Sequence, residues 1–123
     1  MAKILIVDDD EQATTLLEKV LAIKGHQATS LNDSAETIRV VNSTAPDLIL
    51  LDLMMPEPNG FEVCKMLRAD PNFGQIPIVI VTAMDDNVSK ENAYAAGAND
   101  YLTKPFRIDA LAQAIDNLIG NTE

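Results

Sequence analysis

Three aspartates, a threonine and a lysine lie at or just after the carboxyl ends of short segments that are typical of β-strands. These residues are Asp8, Asp9, Asp52, Thr82 and Lys104. An acid at the tip of a buried strand is costly unless a function requires it, because the protein interior disfavours its charge. Clustered carboxylates also raise one another's pKa unless a cation lies among them. These residue types therefore suit a site that binds a cation together with a charged group.

The chemistry that fits this set is phosphoryl transfer. Oxygen-only ligands suit Mg²⁺ or Mn²⁺, which take one or two carboxylates, keep water and share a phosphate oxygen. An aspartate carboxylate can act as the nucleophile that takes up phosphate. Such transfer needs mostly positioning and charge neutralisation, which Mg²⁺ and Lys104 would supply, while Thr82 would donate a hydrogen bond. We therefore interpret Asp52 as the phosphate acceptor of a switch domain.

Five short segments predict the strands that position these residues. They span residues 3–7, 26–31, 47–52, 76–81 and 99–103. The run LILL before Asp52 lacks any polar residue, as expected for a strand covered on both faces. The second segment is polar, which favours a place at the edge of the sheet.

Helices are predicted between and after these strands. Asp10 is expected to cap the first, Asn32 or Asp33 the second, while the third begins near Gly60 and the fourth covers 86–96. The inward stripe of the first helix is predicted to contain Ala13, Leu16, Leu17, Val20 and Leu21. The inward face of the last helix is predicted to contain Ile108, Leu111, Ala112, Ile115, Leu118 and Ile119.

Alternating strands and helices predict an α/β fold. We expect a doubly wound, flavodoxin-like (βα)5 domain with a five-stranded parallel sheet in the order 2-1-3-4-5 and helices on both faces. Ligands of such folds bind at the carboxyl ends of the strands, where the winding reverses. The reversal lies between strands one and three, which carry the acids, so the aspartates, Thr82 and Lys104 should meet at one mouth.

Composition limits the classes of function. Nine basic residues against nineteen acidic ones give a net charge of −10, which argues against direct nucleic-acid binding and favours cationic partners or a metal ion. Arg68 and Lys90 are interpreted as solvated charges. The 123 residues predict one domain over 1–123, and the single cysteine, Cys64, allows no internal disulfide. No apolar run reaches membrane-spanning length and no signal peptide is evident, so a cytoplasmic protein without membrane contact is expected.

Four segments together resemble the receiver domain of two-component response regulators. They are VDD after the first strand, LLDLMMPEPNG, VTA and YLTKPF, and the resemblance covers essentially the whole chain. It implies that Asp52 is phosphorylated by the phosphohistidine of a sensor histidine kinase or of a phosphotransfer protein. It further implies that Asp8 and Asp9 form an acidic pocket, and that Mg²⁺ is bound by Asp9, Asp52 and the backbone carbonyl of Met54.

The same resemblance implies a switch around the phosphate. Thr82 is the switch hydroxyl, Ala83 follows it beside the phosphate, and Lys104 is the phosphate partner. Tyr101 matches an aromatic residue that swings inward on activation, with plain packing as the competing interpretation. The Lys104–Pro105 bond is expected to be cis. The change would be read out on the surface of the fourth helix, fifth strand and fifth helix.

The resemblance implies a switch rather than a general enzyme, catalysing only its own phosphorylation and a slow autodephosphorylation. We expect a stand-alone regulator with a downstream protein target, and leave a homodimer open. The alternative is a receiver domain cut from a longer regulator with a DNA-binding or enzymatic output domain. A flavin or nucleotide binder would need a Gly-rich loop where this chain has three aspartates. An aspartate-based phosphatase would need a DxDxT motif, which Asp52-Leu53-Met54 does not match.

Overall fold

The computed structural model describes residues 2–120 and contains one five-stranded parallel sheet. The strands are β1 (Lys3–Val7), β2 (Gln27–Leu31), β3 (Leu48–Leu51), β4 (Ile78–Thr82) and β5 (Asp100–Thr103). Their order is β2-β1-β3-β4-β5, which confirms the predicted doubly wound topology. β4 begins two residues later than predicted and includes Thr82.

Five α-helices connect and follow the strands. They are α1 (Glu11–Ile23), α2 (Thr37–Thr44), α3 (Gly60–Arg68), α4 (Asn87–Ala96) and α5 (Ile108–Ile119). Asp10 caps α1 as predicted, since its side chain accepts a hydrogen bond from the Gln12 amide. The prediction for the second helix was wrong at its start. Asp33 caps a separate 3₁₀ turn (Ser34–Glu36), and α2 begins only after that turn.

The two faces of the sheet support two apolar clusters. Residues of β3 alternate between them, so Ile49 and Leu51 pack towards α2, α3 and α4, while Leu48 and Leu50 pack towards α1 and α5. Four predicted core residues of α1 and α5 lie outside these clusters. Ala13 and Ala112 are partly buried, whereas Leu16 is 53% exposed and Ile108 is 52% exposed. No helix within residues 2–120 combines the length and the apolar character needed to cross a membrane.

Backbone hydrogen bonds continue the sheet ladders beyond the strand ends. The Asp8 amide donates to the Leu31 carbonyl at 3.1 Å, and the Asp52 amide donates to the Val7 carbonyl at 3.0 Å. The Lys104 amide donates to the Thr82 carbonyl at 2.7 Å. These bonds fix the chain just where it leaves each strand. The functional side chains therefore start from ordered backbone at one edge of the sheet.

The interpretation of Arg68 as a solvated charge was wrong. Its guanidinium donates to the carbonyl oxygens of Gly97 (2.7 Å), Gly74 (3.1 Å) and Ile76 (2.6 Å) and to the Asn99 side chain (2.8 Å). It ties the end of α3 to the end of α4 and to the segment before β4. Positive charge is also favourable at helix carboxyl ends, where carbonyl groups lack intrahelical partners. Sequence spacing carries no signal for this role.

Replacing Arg68 with methionine is therefore expected to lower the free energy of unfolding by about 2 kcal/mol, because several half-buried acceptors lose their donor. Arg39→Met is the matched control. Among the residues that the structure describes, Arg39 pairs only with Glu36, and its side chain is 69% exposed, so a loss of at most about 0.5 kcal/mol is expected. Urea denaturation of both variants measures the difference. Equal losses would show that the Arg68 contacts contribute little to stability.

Candidate phosphoacceptor and metal site

Three carboxylates converge at the carboxyl edge of the sheet. Asp8, Asp9 and Asp52 each offer an oxygen, and these oxygens lie within 4.8 Å of one another. Asp8 and Asp52 are only 2% and 7% exposed, whereas Asp9 faces solvent. Oxygen donors at this spacing, with one side open, fit a hard divalent cation that keeps water ligands. The donor set therefore fits Mg²⁺, although it does not distinguish Mg²⁺ from Mn²⁺.

Asp8 is a structurally anchored member of this cluster. One carboxylate oxygen accepts a hydrogen bond from the Asp10 amide at 2.9 Å, and the other accepts one from Lys104 Nζ at 2.8 Å. Burial raises the pKa of Asp8, and the nearby charge of Asp52 adds to the increase, against the lowering effect of Lys104 and of the Asp10 amide. A further positive charge beside Asp8 would therefore favour its ionised form.

Lys104 is the ammonium of the site. Its Nζ lies 2.8 Å from Asp8 and 3.5 Å from Asp52, and its side chain is 25% exposed. Burial alone would lower the pKa of Lys104, but the carboxylates of Asp8 and Asp52 outweigh it and the pKa is raised. The peptide bond between Lys104 and Pro105 is cis. One ammonium among three carboxylates leaves the site with a net negative charge, which again favours a bound cation.

Thr82 contributes a hydroxyl with no partner. It is the last residue of β4 and is completely buried. Among the buried side-chain nitrogen and oxygen atoms of residues 2–120, Thr82 Oγ1 is the one without a hydrogen-bond partner. Such an orphan is unfavourable in a resting protein, so it indicates a functional role. The neighbouring Ala83 is exposed and begins the loop towards α4.

Two further predicted residues lie beside this group. The Met54 amide donates to a carboxylate oxygen of Asp52 at 3.1 Å, which places the Met54 backbone at the site while its side chain is largely exposed. Tyr101 is half-buried on β5, and its hydroxyl donates to the Met84 carbonyl at 2.6 Å. That bond connects Tyr101 to the loop that follows Thr82. Burial raises the pKa of the Tyr101 phenol, with smaller contributions from Asp86 and Asp52.

Lys90, interpreted from sequence as a solvated charge, is partly buried, and its Nζ lies 5.9 Å from the centroid of the Tyr101 ring. At that distance a cation is attracted to the negative face of an aromatic ring. The Tyr94 ring is also near, with its centroid 6.5 Å from that of Tyr101. Tyr101 thus contacts α4 as well as the loop that precedes α4. This placement is compatible with both interpretations of the residue, switch and packing.

Sequence reasoning missed residues that hold the site without joining it. Gly60 packs directly against the backbone of Asp52 and Leu53, where no side chain fits. Asn32 donates a hydrogen bond to the Asp8 carbonyl from the end of β2. The sequence predicted the start of the third helix near Gly60, as observed, but only the tertiary structure shows the close approach of Gly60 to Asp52.

Known proteins share both the sequence pattern and the geometry. Residues 4–116 match the family model described as response regulator receiver domain. The DNA-binding dual master transcriptional regulator RpaA of Synechocystis is 35% identical over 123 residues, covering 100% of this chain and 51% of RpaA. This chain spans about half or less of the curated relatives that it matches.

Solved structures agree with this assignment. A putative response regulator from Chloroflexus aurantiacus superposes with a TM-score of 0.92 at 32% identity, covering 98% of each chain. The receiver domain of the sensor histidine kinase PA1611 from Pseudomonas aeruginosa has a TM-score of 0.89 at 32% identity over 98% of each chain, and that structure has a magnesium ion coordinated in the active site cleft. This chain belongs to the receiver domain family of two-component response regulators.

Proposed function

We propose that this chain is a phosphorylation-dependent switch in which Asp52 accepts a phosphoryl group from the phosphohistidine of a sensor histidine kinase or phosphotransfer protein. The observation that carries this proposal is the convergence of buried Asp52 with two further acids, Lys104 and the unpaired hydroxyl of Thr82. A family of phosphoacceptor switches that contains this chain makes a histidine kinase the natural donor. The proposed domain covers residues 1–123.

The proposed reaction is an in-line displacement at phosphorus. A carboxylate oxygen of Asp52 forms the new O–P bond while the P–N bond to the donor imidazole breaks, and the imidazole nitrogen keeps the electron pair. Mg²⁺ held by Asp9, Asp52 and the Met54 carbonyl would neutralise phosphoryl charge. Lys104 donates to a phosphoryl oxygen, and Thr82 donates through its free hydroxyl. Slow hydrolysis of the acyl phosphate by water returns Asp52 to its resting form.

The proposed readout begins at Thr82. Movement of its hydroxyl towards the phosphate would shift the following loop, whose Met84 carbonyl accepts the Tyr101 hydrogen bond. Tyr101 also contacts Lys90 and Tyr94 of α4. The surface of α4, β5 and α5 would therefore change with phosphorylation and present a different face to a downstream protein or to a second copy. Direct contact with nucleic acid by this domain remains disfavoured by its charge.

One observation favours a longer regulator as a second candidate arrangement. RpaA is a DNA-binding regulator, and this chain covers 51% of its length. The DNA-binding response regulator MtrA of Mycolicibacterium paratuberculosis is 41% identical over 105 residues, and this chain covers 45% of its length. In that arrangement the same switch surface would contact an attached output domain rather than a separate target.

Phosphorylation by acetyl phosphate tests the proposal. With Mg²⁺, intact-mass spectrometry should show the addition of one phosphoryl group, which is lost in Asp52→Asn and in EDTA. Asp47→Asn is the matched control, because Asp47 is exposed before β3 and its side chain accepts a hydrogen bond from the Lys3 amide, away from the acidic cluster. Phosphorylation of Asp52→Asn to the wild-type extent would overturn the assignment of Asp52. A wild-type reaction unaffected by EDTA would overturn the role of the metal.

Replacement of Thr82 with valine should separate stability from switching. Valine has a similar shape and removes a buried hydroxyl that has no partner, so the free energy of unfolding should rise by about 1 kcal/mol. The same change should abolish the difference in α4 amide exchange between the free protein and its beryllofluoride complex. Thr82→Ser, which keeps the hydroxyl, should preserve that difference. A Thr82→Val protein that still responds like the wild type would contradict the role of the hydroxyl.

A further inference from the structure

The segment that follows β2 carries no predicted ligand, yet it contacts both loops that do. Asn32 Nδ2 donates to the Asp8 carbonyl at 2.8 Å and to Thr14 Oγ1 at 3.3 Å. The Asp8 amide in turn donates to the Leu31 carbonyl. The backbone of Asp8 is thus bound to the end of β2 through both its amide and its carbonyl group. These bonds limit how far the turn that carries Asp8 and Asp9 can move.

Ser34 makes the corresponding contact with the loop after β3. Its side chain is buried, with 6% of the residue exposed, and its Oγ donates to the Pro58 carbonyl at 2.7 Å. The Pro56 carbonyl lies 3.4 Å from the same oxygen. Residues 53–59 form the loop that follows Asp52 and includes the Met54 carbonyl. Ser34 therefore holds this loop through two of its backbone carbonyl groups.

Asn32 and Ser34 lie on one short segment, so the two acid-bearing loops are fixed relative to each other through it. The two loops bring carboxylate oxygens of Asp8, Asp9 and Asp52 within 4.8 Å of one another, so their negative charges repel. Lys104 offsets part of this repulsion, and the link through Asn32 and Ser34 holds the loops together against the rest. Mg²⁺ demands near-ideal octahedral geometry, so its affinity is sensitive to the separation of ligands from different loops.

We propose that Asn32 and Ser34 are positioning residues for the divalent-cation site, acting through the Asp8 carbonyl and the Pro58 carbonyl. The inference rests on the proposed function, since it assumes that Asp9, Asp52 and Met54 bind the cation. Neither side chain needs to touch the metal. Mutation of residues that hydrogen-bond metal ligands commonly weakens metal affinity by about 10–100-fold. Because Asn32 and Ser34 bond to backbone carbonyl groups, we expect an effect near the tenfold end of this range.

Calorimetric titration with Mg²⁺ alone tests the proposal on Asn32→Ala and Ser34→Ala. Each variant should bind Mg²⁺ about tenfold more weakly than the wild type. Asn42→Ala is the matched control, because the Asn42 side chain donates to the Ile38 carbonyl at 2.9 Å and to Asp70 at 3.0 Å, away from the acid-bearing loops. This control should lose stability but retain its Mg²⁺ affinity.

A second measurement separates positioning from general destabilisation. The Mg²⁺ concentration that half-saturates phosphorylation by acetyl phosphate should rise about tenfold in Asn32→Ala, while the rate at saturating Mg²⁺ returns to near the wild-type value. A merely unstable protein would lose the saturated rate instead. Should Asn32→Ala fail to fold, Ser34→Ala decides the result.

The outcomes distinguish this inference from the proposed function. If the wild type binds no Mg²⁺, the proposed metal-dependent switch itself is wrong. If the wild type binds Mg²⁺ and both variants bind it as tightly as Asn42→Ala does, the proposed function stands and the positioning role of Asn32 and Ser34 is wrong.

Discussion

Replacement of Gly60 with alanine should lower the free energy of unfolding by about 3 kcal/mol and slow phosphorylation of Asp52. Helix propensity predicts the opposite, because alanine is favoured over glycine inside a helix by about 1 kcal/mol. The packing at this position decides whether the substitution raises or lowers the free energy of unfolding. A Cβ on Gly60 would lie 2.5 Å from Leu53 Cα and still closer to the Asp52 carbonyl oxygen. These neighbours are backbone atoms, which cannot rotate away as a flexible side chain can. The backbone of Asp52 and Leu53 would therefore have to shift as a whole.

Gly25→Ala is the matched control for this change. Gly25 has a positive φ of 86°, but no atom of residues 2–120 lies within 4 Å of the position of an added Cβ. Its replacement should therefore cost about 1 kcal/mol through backbone strain alone and should leave phosphorylation unchanged. Urea denaturation and the rate of reaction with acetyl phosphate measure both effects. A Gly60→Ala protein as stable as the wild type would show that the β3–α3 loop is more adaptable than the structure indicates.

The site residues could be predicted because topology alone brings strand ends together. Asp8, Asp52 and Lys104 each follow a strand and Thr82 is the last residue of one, and a parallel sheet places those strand ends at one edge whatever the packing details are. The same rule explains why the sheet order followed from the alternation of elements. The boundaries of the strands were predicted less accurately, as the later start of β4 shows. Pro77 and its neighbours share the apolar composition of the strand, so composition does not mark where the strand begins.

Residues that act through tertiary contacts carried no comparable signal. Arg68 looks like any lysine or arginine on a helix surface, yet three backbone carbonyls and one side-chain carbonyl converge on its guanidinium. Asn32 reads as a turn or capping residue, and its bond to Asp8 joins positions 24 residues apart. Periodicity failed at Leu16 because the apolar stripe of α1 is wider than the face that the sheet covers.

Replacement of Lys104 with methionine should destabilise the metal-free protein by about 3 kcal/mol at neutral pH, because it removes the ammonium that pairs with Asp8 and Asp52. The side chain of Lys104 is only 25% exposed, so solvent screens these pairs only in part. Saturating Mg²⁺ should restore part of the loss by supplying a replacement positive charge. Lys19→Met, at an exposed position of α1, is the control and should change stability by no more than about 0.5 kcal/mol.

The pH dependence of this effect has a defined sign. Because the folded-state pKa of Lys104 is raised, the stability that depends on its protonation is retained below its unfolded pKa of about 10.4 and is lost as the pH rises through the folded value. At lower pH, where Lys104 stays protonated, the size of its contribution depends on the ionisation of Asp8. Because the folded-state pKa of Asp8 is also raised, ionising Asp8 lowers stability as the pH rises from about 3.9 through the folded value. Without Lys104, which lowers the pKa of Asp8, this loss should become larger.

The difference in free energy of unfolding between wild type and Lys104→Met should therefore be smallest near pH 3.5 and increase towards pH 7, in EDTA, by about 2 kcal/mol. Urea denaturation at a series of pH values measures it, with Lys19→Met run in parallel. A difference that stays constant across this range would mean that Lys104 stabilises the site by packing its methylene groups. In that case the electrostatic coupling between Lys104 and the buried carboxylates would have to be abandoned.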